Sequence, residues 1–406
     1  MPEGGLLRPT LESGRRRGPR VIDSLDGLQA ALLVPVAIGS AYSLLTLAAA
    51  VCFLRRRPEP REPRQGWPGV TILKPVHGLE KDLEENLRSV CSLDHPEYQV
   101  VFSVQRPRDP ALPLLRRLAE EYGSGRVDIA VTDSEPVVNG KIQNLVGALP
   151  VARHDLLVIS DSDVRVPPDY LKTIVAPFDD PQVGIVCTLY RARSASRWFE
   201  RLELLSLNAE FIVNVIFAHV TGASALCLGC SVALPRKVLD AVGGLEPLGE
   251  YLVEDFELGR RVAAAGYQAR LLPYFVDTTV DLEGPGQWWE HQVYWDQNTR
   301  AARPKGFAAT ILIKAVPFAL CFALARGFDP IGLEVLAATL AVRLLTAGLT
   351  FRRFADREGL RSLLWLPARD LAGLATFFAA SFRRHFVWRD LRFGLTRDGR
   401  IVPRQA

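Results

Sequence analysis

Hydrophobic and polar positions divide this chain into apolar stretches of membrane length on either side of a segment with shorter, alternating patterns. Leu28 to Leu54 contains no charged residue and exceeds the roughly 20 residues that cross a bilayer as a helix, so a transmembrane helix is expected there. The run is too long for a cleaved signal peptide and lacks a small-residue cleavage site. It closes on Arg55-Arg56-Arg57, whereas Arg15, Arg16, Arg17 and Arg20 lie in a polar stretch over 1–27 that reads as disordered. Residues 58–69, rich in Pro, Arg and Gly, read as a linker.

From Val70 onward, strand-like and helix-like patterns alternate. Strands are expected at Val70–Leu73, Tyr98–Val104, Val127–Val131 and Leu156–Ser160, with helices at Asp82–Val90, Pro110–Tyr122 and Gly140–Leu149. This alternation predicts an α/β domain with a mostly parallel sheet, over 70–304, with ligands beyond the carboxyl ends of its strands. Apolar segments return at 307–325, 330–351 and 363–382, but each carries charge: Lys314, Glu334 with Arg343, and Arg369 with Asp370. Charge at mid-membrane is costly, so 363–382 is expected to be re-entrant rather than spanning. A basic tail occupies 383–406.

Composition narrows the picture only slightly. The 49 basic and 45 acidic residues nearly cancel, so nothing favours a nucleic-acid partner. Six scattered cysteines form no disulfide framework, and Cys227-Leu228-Gly229-Cys230 has no second pair to complete a zinc site; small buried side chains are expected there.

Two acidic motifs carry the chemistry. Asp161-Ser162-Asp163 follows the apolar run ending at Ser160. Two carboxylates one residue apart, where a strand breaks into a turn, suit Mg²⁺ or Mn²⁺ bridging the phosphates of a nucleotide diphosphate. The second motif, Glu254-Asp255, opens a helix-like run, and Asp255 there suits a base taking the proton of an incoming hydroxyl. Together they point to sugar transfer from a nucleotide sugar. Lys141, after Gly140 at a helix start, suits a point charge on phosphate. His291, Tyr294 and Trp295, in an aromatic-rich helix before the membrane segments, suit either an interfacial role or contact with a lipid acceptor.

At these residues the chain resembles the ceramide glucosyltransferase family and its bacterial hopanoid-glycosyltransferase relatives. The resemblance runs from about Val70 to Pro304 and rests on Ile72-Leu73-Lys74-Pro75, Asn139 to Leu145, Asp161 to Val166, and Glu254-Asp255. It implies a GT-A fold, a UDP-sugar donor, a membrane-lipid acceptor, and inversion at the anomeric carbon. It implies Asp255 as catalytic base; Lys141, Asp161 and Asp163 at the diphosphate, with the metal at Asp161 and Asp163; and Glu254, His291, Tyr294 and Trp295 near the acceptor. Two positions depart from the family pattern. Arg106 stands where the family has its first aspartate, with Asp109 near enough to substitute. Tyr294 replaces an arginine of the closing motif, with Arg300 and Arg303 as candidate replacements on the diphosphate. A polysaccharide-synthase-like polymerase and an inactive membrane-anchored homologue are the alternatives. The expected setting is a bacterial inner membrane with a cytoplasmic catalytic domain.

Overall fold

The computed structural model describes residues 26–56, 62–63, 66–132, 139–223, 227–383, 385–388, 391–396 and 399–403. The expectation of disorder over 1–27 therefore falls almost wholly outside the described residues, as does half of the 58–69 linker.

The domain is built on an eight-stranded sheet. Its strands are β1 (Val70–Pro75), β2 (Tyr98–Val104), β3 (Val127–Val131), β4 (Leu156–Ser160), β5 (Val164–Arg165), β6 (Val183–Ala192), β7 (Ser231–Pro235) and β8 (Gln268–Thr278). The order is β3-β2-β1-β4-β7-β6-β8-β5. Strands β1 to β4 are parallel, as are β6 and β8, whereas β7 runs antiparallel to both β4 and β6, and β5 antiparallel to β8. All residues of β1, β2 and β4 are buried, as expected of parallel strands covered on both faces, and the polar Thr71, Lys74, Gln99 and Ser103 are buried with the apolar residues.

The chain builds β1, β2 and β3 outward in one direction, then returns to place β4 on the other side of β1. This reversal of strand order opens a crevice at the carboxyl ends of β1 and β4. Pro75 and Ser160 lie at its lip.

Among the described residues four helices are long and apolar enough to cross a membrane: Gly27–Leu54, Trp198–Val220, Pro330–Arg353 and Arg357–Phe382; the pair Pro304–Ile313 and Ala315–Ala325, bent by 46° between them, makes a fifth candidate. The Trp198–Val220 helix was not anticipated. Its apolar positions lie inside the catalytic segment, and Glu200, Glu203 and Glu210 break its hydropathy. The Gly27–Leu54 helix packs on Ala315–Ala325 and Pro330–Arg353. Its N-terminal end meets the turn between those two helices, where Arg326 donates to Gln29 Oε1 at 3.2 Å.

The basic tail is folded. Residues His385–Trp388, Leu391–Leu395 and Ile401–Pro403 form an antiparallel sheet of three strands, β9 to β11. Phe393 packs on Leu252, the Leu252 N–H donates to Gly399 O at 3.1 Å, and Arg400 pairs with Glu250 at 2.9 Å. The tail therefore seats on the segment leading into Glu254-Asp255. The other end of the Arg357–Phe382 helix is also tied to the domain: Phe354 packs on Phe275, and Asp356 accepts from Asn208 at 2.7 Å.

Candidate active site

The Asp161-Ser162-Asp163 turn is fixed from below by a residue whose importance the sequence pattern hid. Lys74, at the end of β1, is fully buried, and its ammonium donates to Ser160 Oγ (3.2 Å), Asp161 O (2.7 Å) and Val164 O (3.0 Å). It stitches the two sides of the crevice together. Burial pulls its pKa down to about 8, against the opposing pull of Asp163 and Asp161, so it remains charged at neutral pH. The turn itself closes with Val164 N–H donating to Asp161 O at 3.1 Å, and the Asp161 N–H donates to Cys230 O at 3.2 Å.

Lys141 draws the two acidic motifs together. Asn139 caps its helix, accepting from the N–H groups of Lys141 and Ile142. The Lys141 ammonium reaches Asp161 Oδ1 at 2.8 Å, Glu254 Oε1 at 3.2 Å and Gly229 O at 3.2 Å. Desolvation works against its charge, but Asp161, Glu254 and Asp255 more than offset it and hold the pKa well above the ordinary lysine value.

Asp255 stands in the first turn of the Glu254–Ala264 helix. Its Oδ2 accepts from Gly229 N–H at 2.6 Å and its Oδ1 from Phe256 N–H at 2.7 Å. Burial, then the neighbouring Glu254 charge, raise its pKa to about 6, with Lys141 and the two N–H donors pulling the other way. Asp163 is raised likewise, first by burial and then by Asp161, while Thr278 Oγ1 donates to it at 2.6 Å. The cluster is therefore acidic, desolvated, and organised around one lysine.

Gly229 explains the Cys227-Leu228-Gly229-Cys230 segment. A Cβ at Gly229 would lie 2.9 Å from Asp255 Oδ2, so the tight approach of the loop to the carboxylate requires glycine. Cys227 is buried with its sulfur 3.5 Å from that of Cys187. Cys230 and Tyr190 feel the charges of Asp161, Asp163 and Asp255 together, and burial, reinforced by those carboxylates, pushes both well above their ordinary pKa values. Asp161, Asp163 and Asp255 thus all lie within electrostatic reach of the same two side chains.

The remaining predicted residues separate into two sets. His291 bonds through Nδ1 to Glu203 Oε1 at 2.9 Å, and its Nε2 accepts from Trp295 Nε1 at 3.0 Å. Trp295 packs edge-on against Phe211 at 5.4 Å. Tyr294 lies within the field of Glu254 and Asp255; burial first, and then those charges, raise its phenol pKa. These three side chains flank the acidic cluster. Asp109 and Arg300 do not join it. The Asp109 carboxylate receives the N–H groups of Gly78 (3.0 and 3.2 Å) and Ala111 (2.8 Å), holding the loop after β1 against the start of the Leu112–Tyr122 helix that follows β2. Arg300 corrects the expectation of a diphosphate contact: its guanidinium reaches the carbonyls of Ala380, Ser381 and Arg383 at the end of the last long helix, where unsatisfied carbonyls attract a cation. Arg303 likewise donates to Ala223 O at 2.9 Å, and Arg106 is exposed.

Among the described residues no three His, Cys, Asp or Glu side chains are grouped to hold a metal ion. Asp161 and Asp163 nonetheless offer hard oxygen donors, and Asp163, raised in pKa first by burial and then by the Asp161 charge, is a carboxylate that a cation would help keep ionised. Two protein ligands suit Mg²⁺ or Mn²⁺ whose remaining positions are filled by phosphate and water.

The family model of Glycosyl transferase family 21 matches residues 31–401. Ceramide glucosyltransferase 1 of Caenorhabditis elegans is 27% identical over 66% of this chain and 56% of its own length, so the match spans just over half of that relative. Ceramide glucosyltransferase 3 of the same organism is 21% identical over 83% of this chain and 74% of its own. Among solved structures, the mannosyltransferase PcManGT from Pyrobaculum calidifontis, in complex with GDP-Man and Mn²⁺, superposes with a TM-score of 0.52 at 20% identity, covering 86% of this chain and 99% of that one. The shared fold is GT-A.

Proposed function

Because the chain belongs to glycosyl transferase family 21, we propose that it transfers a sugar from a UDP-sugar to a hydroxyl of a membrane lipid of ceramide or hopanoid type, with inversion at the anomeric carbon. The observation that carries this reading is the single lysine that joins Asp161 and Glu254 beside Asp255. An inactive homologue has no need to keep a costly desolvated acidic cluster assembled.

In this reading the acceptor hydroxyl lies against Asp255, which takes its proton as the oxygen attacks the anomeric carbon. The new C–O bond forms on the face opposite the breaking bond to phosphate, and the nucleoside diphosphate leaves with that electron pair. Lys141, with its strongly held proton, binds the diphosphate as a fixed positive charge. Asp161 and Asp163 are the residues that would hold Mg²⁺ or Mn²⁺, which when bound supplies positive charge to the departing diphosphate. Glu203 orients the His291 ring, and with Trp295 and Tyr294 this ring forms the acceptor side.

The apolar helices support a membrane setting. The last long helix begins at Asp356, held by Asn208, and ends at carbonyls held by Arg300. Both ends are thus anchored to the domain, which supports a helix lying along the membrane surface instead of crossing it. That arrangement keeps the tail sheet on the domain's side, together with Arg55 and Arg353, and the positive-inside rule then favours a cytoplasmic domain.

The test is to incubate membranes holding the protein with radiolabelled UDP-sugars and Mn²⁺, then count the lipid extract. A lipid-linked monosaccharide is expected. Long polymer supports the synthase alternative, and no turnover with any donor supports the inactive one. In the same assay Asp163→Ala should weaken metal-dependent nucleotide binding by about tenfold or more, the scale of one lost charge-assisted contact; isothermal titration with and without Mn²⁺ checks it. Transfer should also fall as pH drops through about 6, because Asp255 gains a proton there and cannot accept another.

A further inference from the structure

A second polar site lies among the apolar helices. The Trp198–Val220 helix is not α-helical throughout: Leu207–Phe211 forms a π-turn, an irregularity frequent at functional sites. Phe211 faces the active site, packing on Trp295 at 5.4 Å and on Tyr190 at 5.7 Å, and Tyr190 is the ring that feels Asp161, Asp163 and Asp255. Glu210 faces the other way, pairing with Lys314 at 3.6 Å and with Arg369. Beside it lies a cavity of ≈ 50 Å³ lined by Tyr42, Ser43, Asn214, Glu210, Lys314 and Asp370. One residue of the π-turn therefore separates this cavity from the residues that flank the acidic cluster.

Its chemistry is unusual for such a place. Arg343 binds Asp370 through two contacts, at 2.8 and 3.0 Å, and Tyr42 donates to Asn214 at 3.0 Å. Lys314, Arg343 and Arg369 line the cavity against Glu210 and Asp370, and the third positive charge is offset from outside the lining by Asp296, which lies near Lys314. Ionisable groups on membrane-length helices are costly to keep and characteristically line a substrate path. A balanced set presents both donors and acceptors to an uncharged polar group, but offers an anion no excess positive charge. The volume takes a few water-sized groups, which fits a hydroxymethyl end.

Resting on the lipid-acceptor reading above, we infer that this pocket receives the uncharged, hydroxyl-bearing headgroup of the acceptor lipid from the bilayer before it passes Phe211 to reach Asp255.

The experiment uses the full-length protein in detergent. The probe is an N-acyl amino alcohol with a primary hydroxyl and a photoreactive diazirine near the headgroup, with its phosphate monoester as competitor. Label is expected on peptides carrying Tyr42 and Asn214, displaced by excess unlabelled alcohol and not by the phosphate ester. Ser43→Phe, which fills the cavity, and Asn214→Leu, which removes a polar wall, should each cut labelling about tenfold. Both should raise KM for the alcohol while KM for the nucleotide donor and the melting temperature stay as in wild type. Unchanged labelling in both variants, with normal donor binding, overturns the inference, as does stronger displacement by the phosphate ester. Specific labelling without sugar transfer to any lipid overturns the acceptor role and the proposed function together; transfer to lipid with no labelling here overturns the pocket alone.

Discussion

Asp255→Asn is expected to reduce transfer by about 10²- to 10⁴-fold, the usual contribution of a general base, while nucleotide affinity changes by less than a few-fold. The amide keeps the size of the side chain and its oxygen can still accept from Gly229 N–H, so the loop that bears Cys230 stays in place, while Phe256 N–H loses its side-chain acceptor. What is lost is the proton acceptor. Stability supplies the control. Burial and Glu254 raise the Asp255 pKa to about 6 from 3.8, so between those values the folded protein binds a proton that the unfolded chain does not. Stability from this group therefore grows as pH falls through that window, and at neutral pH the buried charge is a burden. The Asp255→Asn protein should accordingly melt no lower than wild type at pH 7, measured by circular dichroism. A variant that retains turnover, or that loses it through unfolding, would remove Asp255 from its proposed role.

Lys141→Met is expected to damage both folding and donor binding. Its ammonium neutralises Asp161 and Glu254 at 2.8 and 3.2 Å, and removing one member of a buried pair leaves the others without compensation, at a cost of about 3–5 kcal/mol when burial is complete. Side-chain exposure of 20% at Lys141 places the loss toward the lower end. The melting temperature should fall by several degrees, and nucleotide affinity by about tenfold or more, read by calorimetry. Adding Glu254→Gln to Lys141→Met should recover part of the stability, since it removes one orphaned charge, but not the donor affinity. Equal loss in single and double variants would mean that the charges are not coupled as the geometry indicates.

Much of this site could be read from local sequence. Asp161 and Asp163 announced themselves by ending an apolar strand, Asp255 by opening a helix, and Lys141 by following a glycine at a helix start. In each case the signal is short range: a change of pattern within a few residues. What local pattern could not supply is which of these groups meet. Lys74 lay just past the expected strand Val70–Leu73 and received no role of its own, because that role depends on Ser160, Asp161 and Val164, far along the chain. Arg300 looked available for a diphosphate because the sequence gives no hint that carbonyls more than 80 residues later would claim it.

The membrane-facing parts were harder for a related reason. Glu200, Glu203 and Glu210 masked a long helix by lowering its hydropathy, yet Glu200 is satisfied by Ser196 and Arg197, Glu203 by His291 and Gln292, and Glu210 by Lys314 and Arg369. Hydropathy scores a charge without knowing its partner. The tail's arginines likewise outweighed the alternation at Leu391–Leu395, so its sheet was missed.

The most direct test of the central claim is the anomeric configuration of the product, read by NMR after the protein acts on an α-linked UDP-sugar with a lipid acceptor. Attack by a hydroxyl deprotonated at Asp255, on the face away from the diphosphate, predicts a β-linked glycolipid. An α-linked product would contradict that mechanism.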